Sequence, residues 1–362
     1  MSNSINTLEI KNFKSIKDLK LDCKQVNLFI GEPNVGKSNI LEALALLGGG
    51  YSHKKDKFLS DLIRYQEVGN LFYDGDLEGV VEVRTDKAWS KLSISEMEDT
   101  LFDYVIGFKR NPNLQAYPTS VLLGSKEVVG GMVEEDSKVG SDKVSHYHLD
   151  KFGRRVGSEH NGSFSSSFRK YDFKGFSEIG NRFLPYLLPP DGRNLFAILD
   201  HNARLKNEFG RTFKSQGLQL VLSKSDKTIE LMKLVGDYSY KYPFSTMADS
   251  YQRLIFYLCA MESNKDAVLI FEEPEVHSFP PYTKWLADLI ALDEENQYFI
   301  ASHSPYLLAT LNEEIPFDRI NVIITYFKDY ETCIRVLSMD EIEEIMERRY
   351  DLFFNLPKFI RG

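Results

Sequence analysis

Short hydrophobic runs separated by polar turns make up the first fifty residues. Residues 8–10 and 19–22 alternate between apolar and polar positions, which is typical of half-buried strands. Residues 26–30 are apolar apart from Asn27 and run into Gly and Pro, a pattern that predicts a buried strand. A helix is predicted over residues 39–47, and three glycines at 48–50 indicate its end. The N-terminal part is therefore predicted to contain three strands followed by a helix.

The last third of the chain alternates between the strand and helix patterns. Strands are predicted at residues 267–271 and 297–301, and helices at residues 254–261 and 283–292. Ser338 and Glu341 have the spacing of a capping box that opens a further helix. Strands that alternate with helices favour an α/β fold with a largely parallel sheet.

The middle of the sequence has a different character. A short helix is predicted at residues 61–65 and a strand entering a turn at residues 70–76. From about residue 85 to residue 180, short alternating runs are interrupted by Gly, Ser and Asn, which predicts a β-rich insertion with mobile loops. These stretches offer little apolar surface to offset ordering entropy, so we expect the least ordered part of the chain here. Sustained heptads are absent, and a long coiled-coil arm is not expected. The predicted division is a first lobe at 1–84, the insertion at 85–190 and a second lobe at 191–362.

The first motif with chemical content lies between the buried strand and the helix. Gly31, Gly36, Lys37 and Ser38 match the pattern G-x-x-x-x-G-K-[ST] of the phosphate-binding loop. In this motif glycines let successive N–H groups point at an anion, the lysine reaches the β- and γ-phosphates, and the serine hydroxyl binds Mg²⁺. An ordinary glycine-rich turn is the alternative, but the strand before and the helix after are the context that the motif demands. We predict ATP and Mg²⁺ as cofactors; the predicted ATP-binding residues are Gly31, Glu32, Pro33, Asn34, Val35, Gly36, Lys37, Ser38 and Asn39.

Two carboxylates follow the apolar strand at residues 267–271. Glu272 is predicted to hold Mg²⁺ opposite Ser38, and Glu273 to accept a proton from the attacking water. Adjacent strand residues point to opposite faces, so the two glutamates are not expected to share one role. In isolation the pattern favours a solvated acidic turn, whereas the phosphate-binding loop upstream favours the catalytic interpretation. The predicted metal ligands are thus Ser38 and Glu272.

His303 follows the strand at residues 297–301 in a polar turn. At the end of such a strand an imidazole can contact a γ-phosphate and report its presence, whereas a structural role is the alternative. The predicted catalytic residues are Glu273 and His303.

Four stretches together give the sequence a family resemblance. Residues 8–16, the phosphate-binding loop, residues 271–277 and residues 301–305 resemble the SMC/RecF-like branch of ABC ATPases. The resemblance is closest to the OLD-like ATPases (AAA family) of prokaryotic DNA repair and anti-phage defence. It covers about residues 8–47 and 242–311 and leaves the middle of the chain uncovered. It implies a P-loop NTPase of the ABC-head type, with a mixed sheet, that sandwiches nucleotide in a head-to-head dimer.

The resemblance also implies roles for single residues. Lys37 and Ser38 match the family's Walker A residues, Glu272 and Glu273 its Walker B pair, and His303 its switch histidine.

A signature-like loop is expected, by the same resemblance, at Ala248, Asp249 and Ser250. The family usually has Ser where Ala248 stands and Gly where Ser250 stands. Because a Cβ crowds a closely approaching phosphate, hydrolysis is expected to be slow. Gln66 is a weak match to the Q-loop glutamine. The stretch after His303 is too short for a Toprim-type nuclease domain.

Composition narrows the setting. The chain of 362 residues is 43% hydrophobic and 27% charged, which is typical of a soluble globular protein. No apolar run approaches the roughly 20 residues of a membrane span, and the N-terminus has no secretion signal. Cys23, Cys259 and Cys333 lie far apart without CxxC spacing, which favours a reducing compartment. We predict a cytoplasmic protein without a membrane partner.

Charge and histidine patterns leave two further interpretations open. The net charge of −9 does not favour a protein that coats nucleic acid, yet residues 143–174 and 204–227 carry more basic than acidic side chains. Solvated loop surface is the favoured interpretation of these stretches, and DNA stays open as a partner. His146, His148 and His160 suggest a metal nuclease, because His-x-His on a strand puts both rings on one face. The same spacing is equally at home on the solvent face of any β-ribbon.

Three functions follow from these patterns. The first is Mg²⁺-dependent ATP hydrolysis by a homodimer or higher homo-oligomer that controls a separately encoded effector in phage defence or DNA repair. The second is a slow-turnover nucleotide sensor or scaffold that restrains a partner protein. The third is a DNA-end binding module. Intact Lys37, Glu272 and Glu273 favour the first function, Ala248 and Ser250 the second, and local charge alone the third.

Overall fold

The computed structural model describes residues 2–52, 54–95, 100–108, 143–160, 166–175, 184–214, 217–347 and 352–360. The chain forms two compact units. The first unit comprises Met1–Ser4, Cys23–Leu41 and Phe168–Gly362, and the second comprises Ile5–Asp22 and Glu42–Ser167. Among the described residues, no helix combines the length and the hydrophobicity that crossing a membrane requires.

The strands are β1 (Thr7–Phe13), β2 (Ile16–Asp22), β3 (Val26–Ile30), β4 (Val81–Thr85), β5 (Ala88–Ile94), β6 (Leu101–Phe108), β7 (Lys143–Asp150), β8 (Arg155–His160), β9 (Phe168–Tyr171), β10 (Leu218–Ser223), β11 (Thr228–Val235), β12 (Tyr238–Pro243), β13 (Val268–Glu272), β14 (Gln297–Ala301), β15 (Ile320–Lys328) and β16 (Glu331–Val336). The α-helices are α1 (Lys37–Leu46), α2 (Leu195–His201), α3 (Ala203–Lys214), α4 (Asp249–Ser263), α5 (Pro280–Leu292), α6 (Pro305–Glu314), α7 (Met339–Glu347) and α8 (Leu352–Ile360).

A six-stranded sheet in the order β16-β15-β3-β14-β13-β9 forms the centre of the first unit. Its strands β15, β3, β14, β13 and β9 are mutually parallel, and β16 pairs antiparallel with β15. All five residues of β3 and all five of β14 are buried, as expected for strands covered on both faces. The predicted α/β fold with a largely parallel sheet is confirmed, and β16 makes the sheet mixed.

The parallel arrangement determines where polar turns meet. Since parallel strands end at the same edge, the turns that follow β3, β14 and β13 are neighbours in the sheet. Two backbone bonds hold these turns together: Ser302 N donates to Phe29 O at 3.0 Å, and Glu273 N donates to Ala301 O at 2.9 Å. The first unit therefore brings the phosphate-binding loop, the acidic pair and His303 to one edge.

Helices and a small sheet complete the first unit. Helix α4 fills the core with eight consecutive buried residues, from Leu254 to Met261. Strands β10, β11 and β12 form a separate antiparallel sheet, and all six residues of β12 are exposed. The predicted capping box before α7 is present, because Glu341 N donates to Ser338 Oγ at 3.3 Å and Ser338 N donates to Glu341 Oε2 at 2.9 Å.

The second unit is built on a seven-stranded antiparallel sheet in the order β2-β1-β4-β5-β6-β7-β8. Burial alternates along its strands, so one face is packed and the other is more open; Phe102, Tyr104 and Tyr147 lie on the packed face. The three-part division of the chain stays a prediction. The two compact units divide the chain differently. Strands β1 and β4, from the predicted first lobe, pair in one sheet with β5, from the predicted insertion.

Two local predictions in the second unit are wrong. Residues 61–65 form turns rather than a helix, and Ser52 Oγ donates to Asp61 Oδ1 at 2.7 Å within them. Residues 70–76 contain parts of two short 3₁₀ helices, Val68–Leu71 and Tyr73–Gly75, rather than a strand. The side chain of Asn70 accepts the backbone N–H of Glu67 and so favours the tight turn. Residues 109–142, within the stretch predicted to be least ordered, lie outside the described residues.

Candidate nucleotide site

The phosphate-binding loop has a backbone that only glycine fits at two points. Gly36 has φ of 101°, and a Cβ there would lie 2.0 Å from Thr332 Oγ1. A Cβ on Gly31 would lie 2.2 Å from the carbonyl oxygen of Thr325. Thr332 also fixes the loop, because its hydroxyl donates to Val35 O at 2.9 Å. Strands β15 and β16 thus hold the loop in its turn, a support that the sequence motif does not contain.

The remaining residues predicted to bind ATP occupy the loop and the start of α1. Glu32, Pro33 and Asn34 are exposed at the tip, Val35 is buried, and Ser38 and Asn39 are half-buried in the first turn of α1. Asn34 has φ of 62°, a left-handed conformation that asparagine tolerates better than most residues. The loop therefore presents an exposed tip followed directly by a helix N-terminus.

Lys37 lies folded over the loop and is only 6% exposed. Its Nζ donates to Gly31 O at 2.9 Å and to Glu32 O at 2.7 Å. Burial lowers the pKa of Lys37 to about 8, and the nearby carboxylates of Glu273 and Glu272 oppose this shift. A buried ammonium held by two neutral carbonyls fits a triphosphate, whose negative oxygens would stabilise the charged form.

Glu272, the predicted Mg²⁺ ligand, has a buried basic neighbour. Lys170 on β9 is 4% exposed on its side chain, and its Nζ lies 3.3 Å from Glu272 Oε2. Residues 170 and 270 face each other in the β9–β13 pair, which brings the lysine to the end of β13. A Mg²⁺ ion bound here would share this carboxylate with an ammonium. Sequence reasoning missed the pair, because Lys170 stands in the basic stretch 143–174 that was interpreted as surface.

Glu273 and His303 meet at the edge of the sheet. Glu273 Oε1 lies 3.5 Å from His303 Nε2, and both side chains are partly exposed. Glu273 has φ of 45°, which is uncommon for a non-glycine residue, and it directly follows the last residue of β13, Glu272. Burial and the positive charge of Lys37 lower the pKa of His303, while Glu273 opposes the shift. The imidazole is therefore largely neutral at pH 7, with one nitrogen able to accept a proton.

Glu275 supports this turn and received no role from the sequence. Its Oε1 accepts from Ser302 Oγ at 2.5 Å and from the backbone N–H of His303 at 3.1 Å. The carboxyl group is buried, and burial raises its pKa. Glu275 lies in the family-like stretch 271–277, which was the one signal available in the sequence. We interpret Glu275 as the residue that positions the His303 backbone.

The predicted signature-like residues begin helix α4. Ala248 is its N-cap and makes no side-chain capping bond, and Asp249 and Ser250 are in its first turn. Asp249 Oδ2 accepts from Arg253 Nε at 2.7 Å. A cavity of about 370 Å³ adjoins this helix start and is lined by Met247, Ala248 and Tyr251 among others. The chain order of α4 followed by β13 is the order that the resemblance implies.

Gln66, the weak match to the Q-loop glutamine, lies in a turn of the second unit, where its backbone N–H donates to Asn70 Oδ1 at 3.2 Å. In the basic stretch 143–174, Arg169 and Lys170 are buried, and Arg169 stacks 3.5 Å from the ring centre of Tyr186. These two cations are therefore not available to phosphates at the surface, which weakens the charge argument for DNA binding.

The chain is similar to an ATPase domain family, to a DNA replication and repair protein and to an ATP/GTP phosphatase. Residues 4–102 match the family described as "AAA ATPase domain". The DNA replication and repair protein RecF of Heliobacterium modesticaldum is 38% identical over 65 residues, which are 18% of this chain and 17% of that protein. An ATP/GTP phosphatase of Helicobacter pylori is 22% identical over 341 residues and covers 86% of this chain and 88% of that protein. The chain thus spans less than a fifth of this RecF and most of the phosphatase.

Solved SMC heads align over nearly the whole chain. An SMC head bound to the C-winged helix domain of ScpA is 16% identical and covers 94% of this chain and 99% of its own, with a TM-score of 0.48. An Smc head with a coiled coil and joint from Pyrococcus yayanosii is 11% identical and covers 95% of this chain and 99% of its own, with a TM-score of 0.49. The matched ATPase domain contains the phosphate-binding loop and agrees with the sheet edge described above: the chain resembles an ATPase head of the SMC/RecF-like ABC type.

Proposed function

We propose that this protein is a Mg²⁺-dependent ATPase whose heads pair around the nucleotide and control a separately encoded effector, in phage defence or DNA repair, as in the OLD-like ATPases that it resembles. The observation that carries the proposal is the meeting of Glu273 and His303, 3.5 Å apart, at the sheet edge where the phosphate-binding loop begins. A carboxylate and a neutral imidazole at this edge are suited to proton transfer and to sensing a terminal phosphate.

Each polar group of the edge has a separate task in this proposal. Lys37 neutralises phosphate charge, and its lowered pKa rises again when phosphate oxygens replace the carbonyls. Ser38 and Glu272 would hold Mg²⁺, which would neutralise negative charge on the bound triphosphate. Glu273 takes the proton of the attacking water, and Glu275 keeps His303 in place through its backbone N–H.

Dimerisation is supported by the position of the signature-like residues. They begin α4, whereas the phosphate-binding loop begins α1, so each head carries two separate helix starts. In ABC-type heads, which the chain resembles, the second of these acts on the nucleotide of the partner head. A homodimer would place Ala248, Asp249 and Ser250 of one copy at the triphosphate of the other.

The effector is inferred from the resemblance to the OLD-like ATPases. The motifs of this chain account for nucleotide chemistry. Paired heads whose state depends on the bound nucleotide are suited to controlling another protein. Co-purification with the products of neighbouring genes, in the presence of ATP or ADP, would identify such a partner. If no such product co-purifies with either nucleotide, this part of the proposal is contradicted.

A second function, a slow nucleotide sensor or scaffold, is favoured by one observation. Ser250 carries a Cβ in the first turn of α4, and Ala248 offers no hydroxyl at its N-cap. Both changes remove features that help a signature loop approach phosphate. Turnover numbers separate the two functions, because a scaffold would bind ATP and dimerise without measurable phosphate release.

Light scattering after size-exclusion chromatography tests the proposal for the dimer. Glu273→Gln with ATP and Mg²⁺ should accumulate dimers, because the amide keeps the shape of the side chain but cannot take the proton. Lys37→Ala should elute the same way with and without ATP. Glu313→Gln changes an exposed glutamate of α6 and serves as the matched control. A Glu273→Gln variant that binds ATP yet shows no ATP-dependent change in mass would contradict head pairing.

A further inference from the structure

A cluster of metal-ligating side chains lies in the second unit, on the open face of its sheet. Strand β7 carries His146 and His148, and β6 carries Asp103, which faces His148 in the antiparallel pair. Tyr104 and Tyr147 also face each other in this pair, but on the packed side. Because successive strand residues point to opposite faces, the two histidines and the aspartate share the other side.

The ligand atoms of the cluster are already at the spacing of a coordination shell. Nδ1 of His148 lies 2.8 Å from Asp103 Oδ1, and Nε2 of His146 lies 3.3 Å from the same oxygen. The ligand atoms of all three residues lie within 4.8 Å of one another. Bonds of about 2.0–2.1 Å to a tetrahedral ion place two ligand atoms about 3.3 Å apart. An ion could therefore enter with small side-chain rotations.

The hydrogen bonding leaves one nitrogen of the cluster unsatisfied. His148 makes an aligned hydrogen bond with Asp103, whereas Nε2 of His146 is shielded from solvent and has no hydrogen-bond partner. A shielded ring nitrogen that points at a carboxylate without bonding to it is costly unless something else completes the contact. A cation between the three side chains would satisfy that nitrogen and neutralise the aspartate.

The neighbouring strand β8 leaves room beside the cluster. Gly157 pairs with His148, and a Cβ there would lie 3.1 Å from Cδ2 of the ring. Glu159 pairs with His146 and is exposed, so its carboxylate lies on the same face as the cluster. The fourth ligand of the shell can therefore come from Glu159 or from water. His160 pairs through its backbone with Ser145 rather than with either histidine. The third histidine singled out in the sequence is thus not needed, and Asp103 takes its place.

We propose that Asp103, His146 and His148 bind one divalent transition-metal ion of the kind that imidazole and carboxylate ligands favour, with Zn²⁺ as the representative ion. The site is separate from the Mg²⁺-nucleotide chemistry of the first unit and does not depend on the proposed function. It joins two adjacent strands through three side chains, so bound metal stabilises the second unit.

Metal titration of chelator-treated, tag-free protein without nucleotide tests the site. Wild type should take up one Zn²⁺ in competition with a chromophoric chelator, and Co²⁺ should give the visible absorption of a nitrogen- and oxygen-ligated ion. His148→Ala, His146→Ala and Asp103→Asn should each weaken binding at least tenfold, and Glu159→Gln should weaken it less. His201→Ala removes an exposed histidine of α2 and should bind as wild type does.

Two results would overturn the assignment. Wild type that binds no stoichiometric Zn²⁺ and shows no Co²⁺ absorption would show that the cluster is only hydrogen-bonded. Binding that is equally tight in the three ligand variants and in His201→Ala would place the metal elsewhere. Should a ligand variant fold poorly, the melting temperature of wild type decides: Zn²⁺ should raise it and a chelator should reverse the rise, and no change in either direction would contradict the site.

Discussion

The two larger sheets of this protein place chemical groups in different ways. In the parallel sheet of the first unit, the strands are buried on both faces and the polar residues lie in turns at one edge. In the antiparallel sheet of the second unit, one face is packed, and the cluster of Asp103, His146 and His148 lies on the other face, within β6 and β7. Functional side chains at a sheet edge come from short contiguous motifs, whereas those on a sheet face are brought together by the register between strands.

The largest expected effect separates the two regions. Lys37→Ala should weaken ATP binding by on the order of a hundredfold or more, because it removes the buried cation that faces the phosphates. Zn²⁺ binding by the second unit should not change. A fluorescent ATP analogue measures the first quantity, and Lys328→Ala, an exposed lysine of β15, is the control. Undiminished ATP affinity in Lys37→Ala would refute the phosphate-binding loop.

Backbone strain gives the next largest effect. Gly36→Ala should destabilise the fold by about 1–3 kcal/mol, because the new Cβ meets Thr332 and the residue has φ of 101°. Gly210→Ala in α3 meets nothing within 4 Å and should be neutral or stabilise by about 0.5–1 kcal/mol. Thermal unfolding measures both variants. Equal melting temperatures would mean that the loop is not held against β16 as described.

A pH series sharpens the role of Glu275. Its pKa is raised in the folded state above the ordinary 4.5, so the protonated form is favoured on folding. The stability that it contributes is full below the unfolded pKa and is lost as the pH rises through the folded pKa. The free energy of unfolding of Glu275→Gln, relative to wild type, should therefore increase as the pH rises from about 4.5. Urea unfolding measures this difference, and it should stay flat for Glu313→Gln. A flat difference for Glu275→Gln as well would mean that this carboxyl group is not shifted.

The smallest expected effect concerns the start of α4. Ser250→Gly should raise the steady-state ATPase rate a few-fold, since a glycine leaves room for a phosphate, and Ala248→Ser in addition should raise it further. A lower rate in Ser250→Gly would indicate instead that its hydroxyl donates to the phosphate. No change in either single variant or in the double variant would mean that this helix start is not at the nucleotide.

The difference between edge and face explains what the sequence could predict. The phosphate-binding loop, the acidic pair and His303 each follow a buried apolar run, so a local pattern shows both the strand and its polar end. The α/β fold followed from the same alternation. The spacing of His146 and His148 predicted a shared face, but nothing in the sequence connects them to Asp103 on another strand. Register between strands is set by tertiary packing and not by local pattern.

Supporting residues were missed for the same reason. Thr332 holds the phosphate-binding loop from β16, and Lys170 reaches Glu272 from β9. Each lies far from its partner in sequence, and no motif in the surrounding sequence indicates the contact. The helix predicted at residues 61–65 failed differently, because side-chain bonds from Ser52 to Asp61 stabilise turns that apolar periodicity does not show.

Phosphate release by Glu273→Gln is the most direct test of the central claim that this edge hydrolyses ATP. With saturating ATP and Mg²⁺, wild type should release phosphate, and Glu273→Gln should be slower by about 10²–10⁴-fold with its ATP affinity retained. Glu313→Gln should match wild type. A Glu273→Gln variant that releases phosphate at the wild-type rate would contradict the account, because the carboxylate beside His303 would then not be the base.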